Sequence, residues 1–378
     1  MKSQLVTRTL VLTFTLVLQP SSFVLSQGPL TPSGAPAPTM KTLDQIEPRI
    51  PIDATHTPGD ANSIFKITQP GSYYLTGNVT GVSAKYGIIV DSDNVTLDLM
   101  GFAVLGVPGS LDGVRTASTW HNNIKLRNGQ VSGFGGAGVT FYVNGAEQNI
   151  TIENVSASSN GIYGLRAGSS ARFSRCTAWS NGSTGISSIS DAVIDHCISR
   201  QNGAGINVGQ GSSITDCSVY DNTGVGISAI TGSVIRGCAV YSNNAGGIFI
   251  SGGTVTDCTC ASNQEFGISA SSRCVIRNNL CTSATNPAGD AAGILCSGVD
   301  SRIEGNTCTA NSRGIRVTST GCVIQQNTCS GNTNLNWDIA IGNAVAPIVN
   351  ATTNAAAIAG NTYTGNLGST DPHANFTY

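Results

Sequence analysis

Between residues 82 and 341 short apolar stretches recur at a near-constant interval. Each begins with a glycine followed by Ile, Val or Leu, at Gly87, Gly113, Gly138, Gly164, Gly185, Gly205, Gly226, Gly247, Gly267, Gly293 and Gly314. Successive intervals are 26, 25, 26, 21, 20, 21, 21, 20, 26 and 21 residues, and Asp338-Ile339 reads as a degenerate twelfth start. A second apolar column follows: Ile152, Phe173, Ile194, Ile214, Ile235, Val255, Ile276, Ile303 and Ile324. The stretches are only three to five residues long, rich in Ile and Val, and alternate over two or three positions. That is strand behaviour, and with no 3.6-residue period almost no helix is expected.

Hairpins would reverse direction at every turn and destroy the equivalence of the repeats. A chain with this period instead stacks each strand on its own copy one repeat later, about 4.8 Å away. The expected fold is all-β: a single-stranded parallel β-helix (solenoid) of about 12 coils, with 20–26 residues per coil. A leucine-rich horseshoe has a similar period, but its Leu-x-x-Leu-x-Leu pattern is missing.

Polar columns share the period. Cys176, Cys197, Cys217, Cys238 and Cys258 form one, continued by Asn279, Asn306 and Asn327. Two positions on, Cys260, Cys281, Cys308 and Cys329 align. Five positions after the first cysteine column lie Asn160, Asn181, Asn202, Asn222, Asn243, Asn263, Asn311 and Asn332. Asparagine tolerates the left-handed backbone of a sharp corner, and its amide bonds to copies above and below. Cysteine packs as a small hydrophobe, so the thiols are read as free and stacked inside. Disulfides are the rival, since twelve is an even count. In-register side chains, however, keep their Cβ atoms further apart than a bridge prefers. No Cys-x-x-Cys pair exists, and no metal or other cofactor is expected.

The segments "VIRNNLC", "RIEGNTCTAN" and "VIQQNTCSGN" resemble the generic repeat of the right-handed parallel β-helix proteins, the pectin-lyase-like superfold. The resemblance spans roughly residues 82–341 and extends to uncharacterised secreted bacterial members. It implies right-handed coiling and carbohydrate bound on the outer face of the first sheet. On that face the repeat places Arg115, Thr140, Arg166, Ser187, Asn207, Ser228, Phe249, Ser269, Leu295 and Arg316. The insertions 282–292 and 330–337 flank its carboxy-terminal end, where Asp290, Arg313, Arg316, Trp337 and Asp338 are expected to converge. An aromatic plate beside cations and carboxylates would suit a saccharide, against the plainer reading of a solvated loop.

Catalytic signatures are sparse. "VIDHC" resembles the Ile-Asp-His motif of pectate lyases, through Ile194, Asp195 and His196 alone. The calcium-binding carboxylates and arginine-rich motif expected beside it are missing. Asp216 and Asp257 share a column two coils apart, about 9.6 Å by strand spacing, which an inverting hydrolase accepts, but nothing else supports the pair.

Charged residues are 11% of the chain and the net charge is −2, so no electrostatic footprint of a nucleic-acid partner exists. Lys2 and Arg8 precede the short apolar run Leu10–Leu18, and Val24 and Ser26 fit cleavage before Gln27. The rival reading, an uncleaved anchor, needs about 20 apolar residues. The organisation expected is a signal peptide (1–26), a proline-rich arm (27–51), a cap with the first strands (52–81), the β-helix (82–341) and a carboxy-terminal cap or tail (342–378). The mature chain is then secreted, without a transmembrane segment. Its expected role is structural, or the binding of a polysaccharide or cell-envelope glycan. The alternative is a polysaccharide lyase or glycoside hydrolase.

Overall fold

The computed structural model describes residues 48–142, 148–286, 291–351, 357 and 367–378. The expected signal peptide, most of the arm and Asp290 lie outside them. Described strands pair in parallel with the next repeat throughout, and no described residue is helical. The apolar column expected from the sequence is the observed register, from Ile152 opposite Phe173 through to Ile303 opposite Ile324. All nine of its members are fully buried, at 0% exposure.

Among the described residues the glycine-marked strands belong to a sheet of thirteen, one more than the repeat count suggests. The extra strand, Ser63–Ile67, lacks the Gly-apolar signature yet pairs with Tyr86–Val90. Packing explains the glycine elsewhere. A Cβ on Gly226 would lie 2.6 Å from Val240 Cγ1, 2.7 Å from Asn243 Nδ2 and 2.8 Å from the Gly247 carbonyl oxygen. The next coil and its ladder amide occupy that space.

The asparagine column is a continuous hydrogen-bonded ladder. Asn160 Nδ2 donates to Asn181 Oδ1 (3.0 Å), Asn181 to Asn202 (2.9 Å), Asn202 to Asn222 (3.2 Å), Asn222 to Asn243 (2.9 Å) and Asn243 to Asn263 (3.0 Å). Each Oδ1 also accepts the backbone N–H of the preceding ladder residue. The left-handed corner residue is not the asparagine itself. It is the residue before, at Ser180, Gln201, Asp221, Ser242 and Ser262, with φ between 53° and 56°. That turn aims the following side chain inward, where it satisfies backbone groups that no strand would pair.

The second ladder changes chemistry partway. Cys176, Cys197, Cys217, Cys238 and Cys258 are buried beneath the same kind of corner, and Asn279 takes over by accepting the Cys258 N–H at 2.9 Å. All twelve cysteines are unbridged and buried.

Beyond Asn327 the ladder jumps 48 positions. Asn375 Oδ1 accepts both the Asn327 N–H (3.0 Å) and Nδ2 (3.2 Å). The strand Asn375–Thr377 pairs on one side with Thr328–Ser330 and on the other with Ile348–Asn350. The carboxy-terminal end of the chain is thus slotted into the stack. At the other end, Pro58 bridges Phe65 in antiparallel fashion and the Thr57 carbonyl accepts the Lys66 N–H, covering the edge of the first strand. The described strands lie in one unit, Pro48–Tyr378.

Candidate functional site

The carboxy-terminal cluster forms only in part. Arg313 Nη1 lies 2.7 Å from Asp338 Oδ2, and Arg316 Nε lies 3.3 Å from the same oxygen. Trp337 does not stand beside them as an outward plate. The register sets Ile315 opposite Trp337 and Arg316 opposite Asp338. The last coil therefore starts at Asn336-Trp337, two positions before the Asp338-Ile339 start read from sequence. Trp337 fills the inward column and packs on the core. Asn336 can replace the marker glycine because no further strand of this sheet is described beyond it.

The other sequence candidates occupy structural places. Asp195 accepts from Ser174 Oγ (2.9 Å) and pairs with Arg172 (3.2 Å), tying two coils together. His196 is a left-handed corner residue with an exposed side chain. Asp216 and Asp257 are corner residues too, with φ of 52° and 57°. Asp257 lies 3.6 Å from Arg236 in an exposed pair.

The outward column of the glycine-marked sheet is as expected, in register from Arg115 through Thr140, Arg166 and Ser187 to Leu295 and Arg316. Its amino-terminal extension was not foreseen. Lys66 and Ile89 precede Arg115 in the same column. Over them lies an open cleft of about 530 Å³, lined by Asp60, Asn62, Lys66, Tyr86, Asp91 and Arg115 among others.

A charged network organises this cleft. Lys66 Nζ lies 3.0 Å from Asp91 and 3.7 Å from Asp60. His121 reaches Asp91 through Nε2 and Asp93 through Nδ1, both at 3.2 Å. Arg115 pairs with Asp112 at 3.2 Å, and its guanidinium sits 4.5 Å from the Tyr86 ring centre. The hydrogen bond to Asp91 raises the Lys66 ammonium above its ordinary value against the opposing effect of burial. Burial pushes the Asp91 carboxyl up, but hydrogen bonds from Lys66 and His121 outweigh it and hold the carboxyl below its usual range. Both groups are fixed in their charged forms. A general acid or base near neutral pH needs the opposite tuning, toward the working pH. Neither Lys66 nor Asp91 carries that tuning.

Aromatic and cationic side chains also alternate outside the cleft. Arg166 lies 3.8 Å from the Tyr142 ring centre and 4.6 Å from that of Tyr163. On another side of the coil, Trp179, Arg200, Tyr220 and Tyr241 share one column in register. Arg200 lies 5.0 Å from the Trp179 ring, and Tyr220 and Tyr241 stack at 4.7 Å and 4°. Stacking along the coil axis turns these faces toward one another, which makes the column a brace. It was legible as one more repeat of 20–21 residues, had aromatic positions been aligned as the cysteines were.

A family model described as "Right handed beta helix region" matches residues 71–234 and 204–366. No curated protein matches the chain. Among solved structures, the A-module of mannuronan C-5 epimerase AlgE4 from Azotobacter vinelandii is similar at 18% identity. That match covers 73% of this chain and 91% of the module, with a TM-score of 0.59. A double-mutant tailspike protein of E. coli bacteriophage HK620 matches at 12% identity, over 70% of this chain and 61% of the tailspike, with a TM-score of 0.56. At such identities the likeness speaks for the fold alone. With more than half of its length matched by the family model and every described coil wound in parallel, the chain belongs to the right-handed beta helix family.

Proposed function

We propose that this is an exported glycan-binding β-helix protein, which takes a saccharide chain along the outer face of its glycine-marked sheet and acts without catalysis. The observation that carries the reading is the cleft over Lys66, Tyr86, Asp91 and Arg115. Its charged groups are internally paired, so they stay in place as hydrogen-bonding partners for hydroxyl and acid groups. Its open form suits a polymer that runs on along the sheet. Tyr86 adds an apolar body with a polar tip, the kind of side chain that binding sites favour. The two structural neighbours are named as a mannuronan epimerase module and a phage tailspike, which agrees with a glycan-related role. Export rests on the amino-terminal pattern of Lys2, Arg8 and Leu10–Leu18.

The test uses the mature chain with immobilised neutral and acidic polysaccharides, alongside assays for new reducing ends and unsaturated products. The expected outcome is retention on at least one glycan, weakened in Lys66→Ala and Arg115→Ala, with no product formed. Product release would establish a lyase or hydrolase instead. Failure to be retained by any member of the panel would remove the binding reading.

A further inference from the structure

Most cations in the outward column of the glycine-marked sheet have a carboxylate close by. Lys66 has Asp91, Arg115 has Asp112, and Arg316 has Asp338. Arg166 differs. Among the described residues it makes no ion pair and no hydrogen bond; its guanidinium lies against the rings of Tyr142 and Tyr163. Those rings hold the guanidinium in place without using its N–H donors. The rungs above and below it in the column are Thr140 and Ser187, both hydroxyl residues. An arginine held by aromatic rings, its donors unpartnered among the described residues, with the largely buried Thr140 on one side and Ser187 on the other, is prepared for a planar or tetrahedral oxyanion.

We infer that Arg166, with Thr140 and Ser187, forms a subsite for the acid group of a bound glycan, a carboxylate or a sulfate carried on one sugar unit. This rests on the glycan-binding reading and adds to it a site two coils along the sheet from Arg115. The guanidinium donates to two oxygens of the anion at once, and the hydroxyls donate to the remaining lone pairs. The tyrosine rings keep the arginine from swinging away, so little side-chain freedom is lost when the ligand arrives.

Titration calorimetry on the full mature chain tests this with three oligosaccharides of equal length: one uronate-rich, one sulfated and otherwise neutral, one uncharged. Arg166→Gln is expected to weaken binding of at least one charged probe by about tenfold or more, while leaving the uncharged probe unaffected. Arg166→Lys, which keeps the charge and loses the fork, falls between parent and Gln variant. Ser187→Ala, a milder change that spares the arginine, gives a smaller loss confined to the charged probe. Comparing the uronate-rich and sulfated arms tells which anion the site takes. Equal charged-probe affinity in parent and Arg166→Gln overturns the subsite while leaving the glycan reading standing. So does an equal loss on the uncharged probe. If the parent binds none of the three probes, the glycan reading falls first and the subsite with it.

Discussion

At the scale of single residues, the repeat is enforced by side chains whose alternatives are physically excluded. Asn222 Oδ1 accepts both the backbone N–H and Nδ2 of Asn202. Its own amide donates to Asn243 and to the Ser199 carbonyl. Asn222→Ala leaves several buried polar groups without partners, so a loss of about 3 kcal/mol is expected. It would appear as a lower thermal midpoint and faster amide exchange in the coils on either side. The thiols make a different prediction. Burial pushes Cys296 up to about 12, from an ordinary value of 9.0, and Cys308 is raised well above 9.0, first by burial. A pKa raised by folding stabilises fully below the unfolded value and loses that contribution as pH climbs toward the folded one. Stability should therefore fall from about pH 9 upward, with all twelve thiols silent to a thiol reagent at pH 8 until the chain unfolds without reductant. The ladders were legible because one residue type recurs at a fixed interval. The left-handed corners were assigned one position late, because Ser, Gln and Asp share that column and no single type marks it.

Individual strands and corners show where a repeat stops being self-sufficient. The first described coils are pinned by Asp60, Asp91 and their partners. Both carboxyls lie below their ordinary value of 3.8: the Asn62 N–H is the largest influence on Asp60, and for Asp91 the Lys66 and His121 bonds outweigh burial. Depressed carboxyls stabilise above the unfolded value and lose that contribution as pH falls through the folded one. Below about pH 4, exchange protection should drop in residues 60–91 before it drops in the coils around Ile214 and Ile235, where the pair given above is the exposed Arg236–Asp257. Unchanged ordering of protection between pH 7 and pH 3 would contradict this. Sequence periodicity placed Ser63–Ile67 with the cap and first strands and outside the repeat, because it lacks the glycine signature that close packing against the next coil demands elsewhere. It also misplaced Trp337, since Asn336 could take the glycine's place in the final described strand of that sheet. The aromatic plate drawn from Trp337 was lost with that shift, whereas Arg313, Arg316 and Asp338 did converge.

For the molecule as a whole, long-range order follows from a local rule repeated many times. That is why fold class was readable from spacing while the cleft was not: it depends on the loop carrying His121 and on the strand Ser63–Ile67, which lies outside the repeat signature. The proposed export makes one further prediction: amino-terminal sequencing of protein recovered outside the cytoplasm should begin at Gln27, and an intact Met1 or membrane-bound product would contradict it. The closing strand carries a consequence for biogenesis. Because Asn375–Thr377 sits between Thr328–Ser330 and Ile348–Asn350, a nascent chain cannot complete this stack until that segment has emerged from the ribosome. A truncation before Asp371 should leave the earlier coils wound but their terminal lock open to proteases. A tag fused after Tyr378, whose side chain faces solvent, should be tolerated.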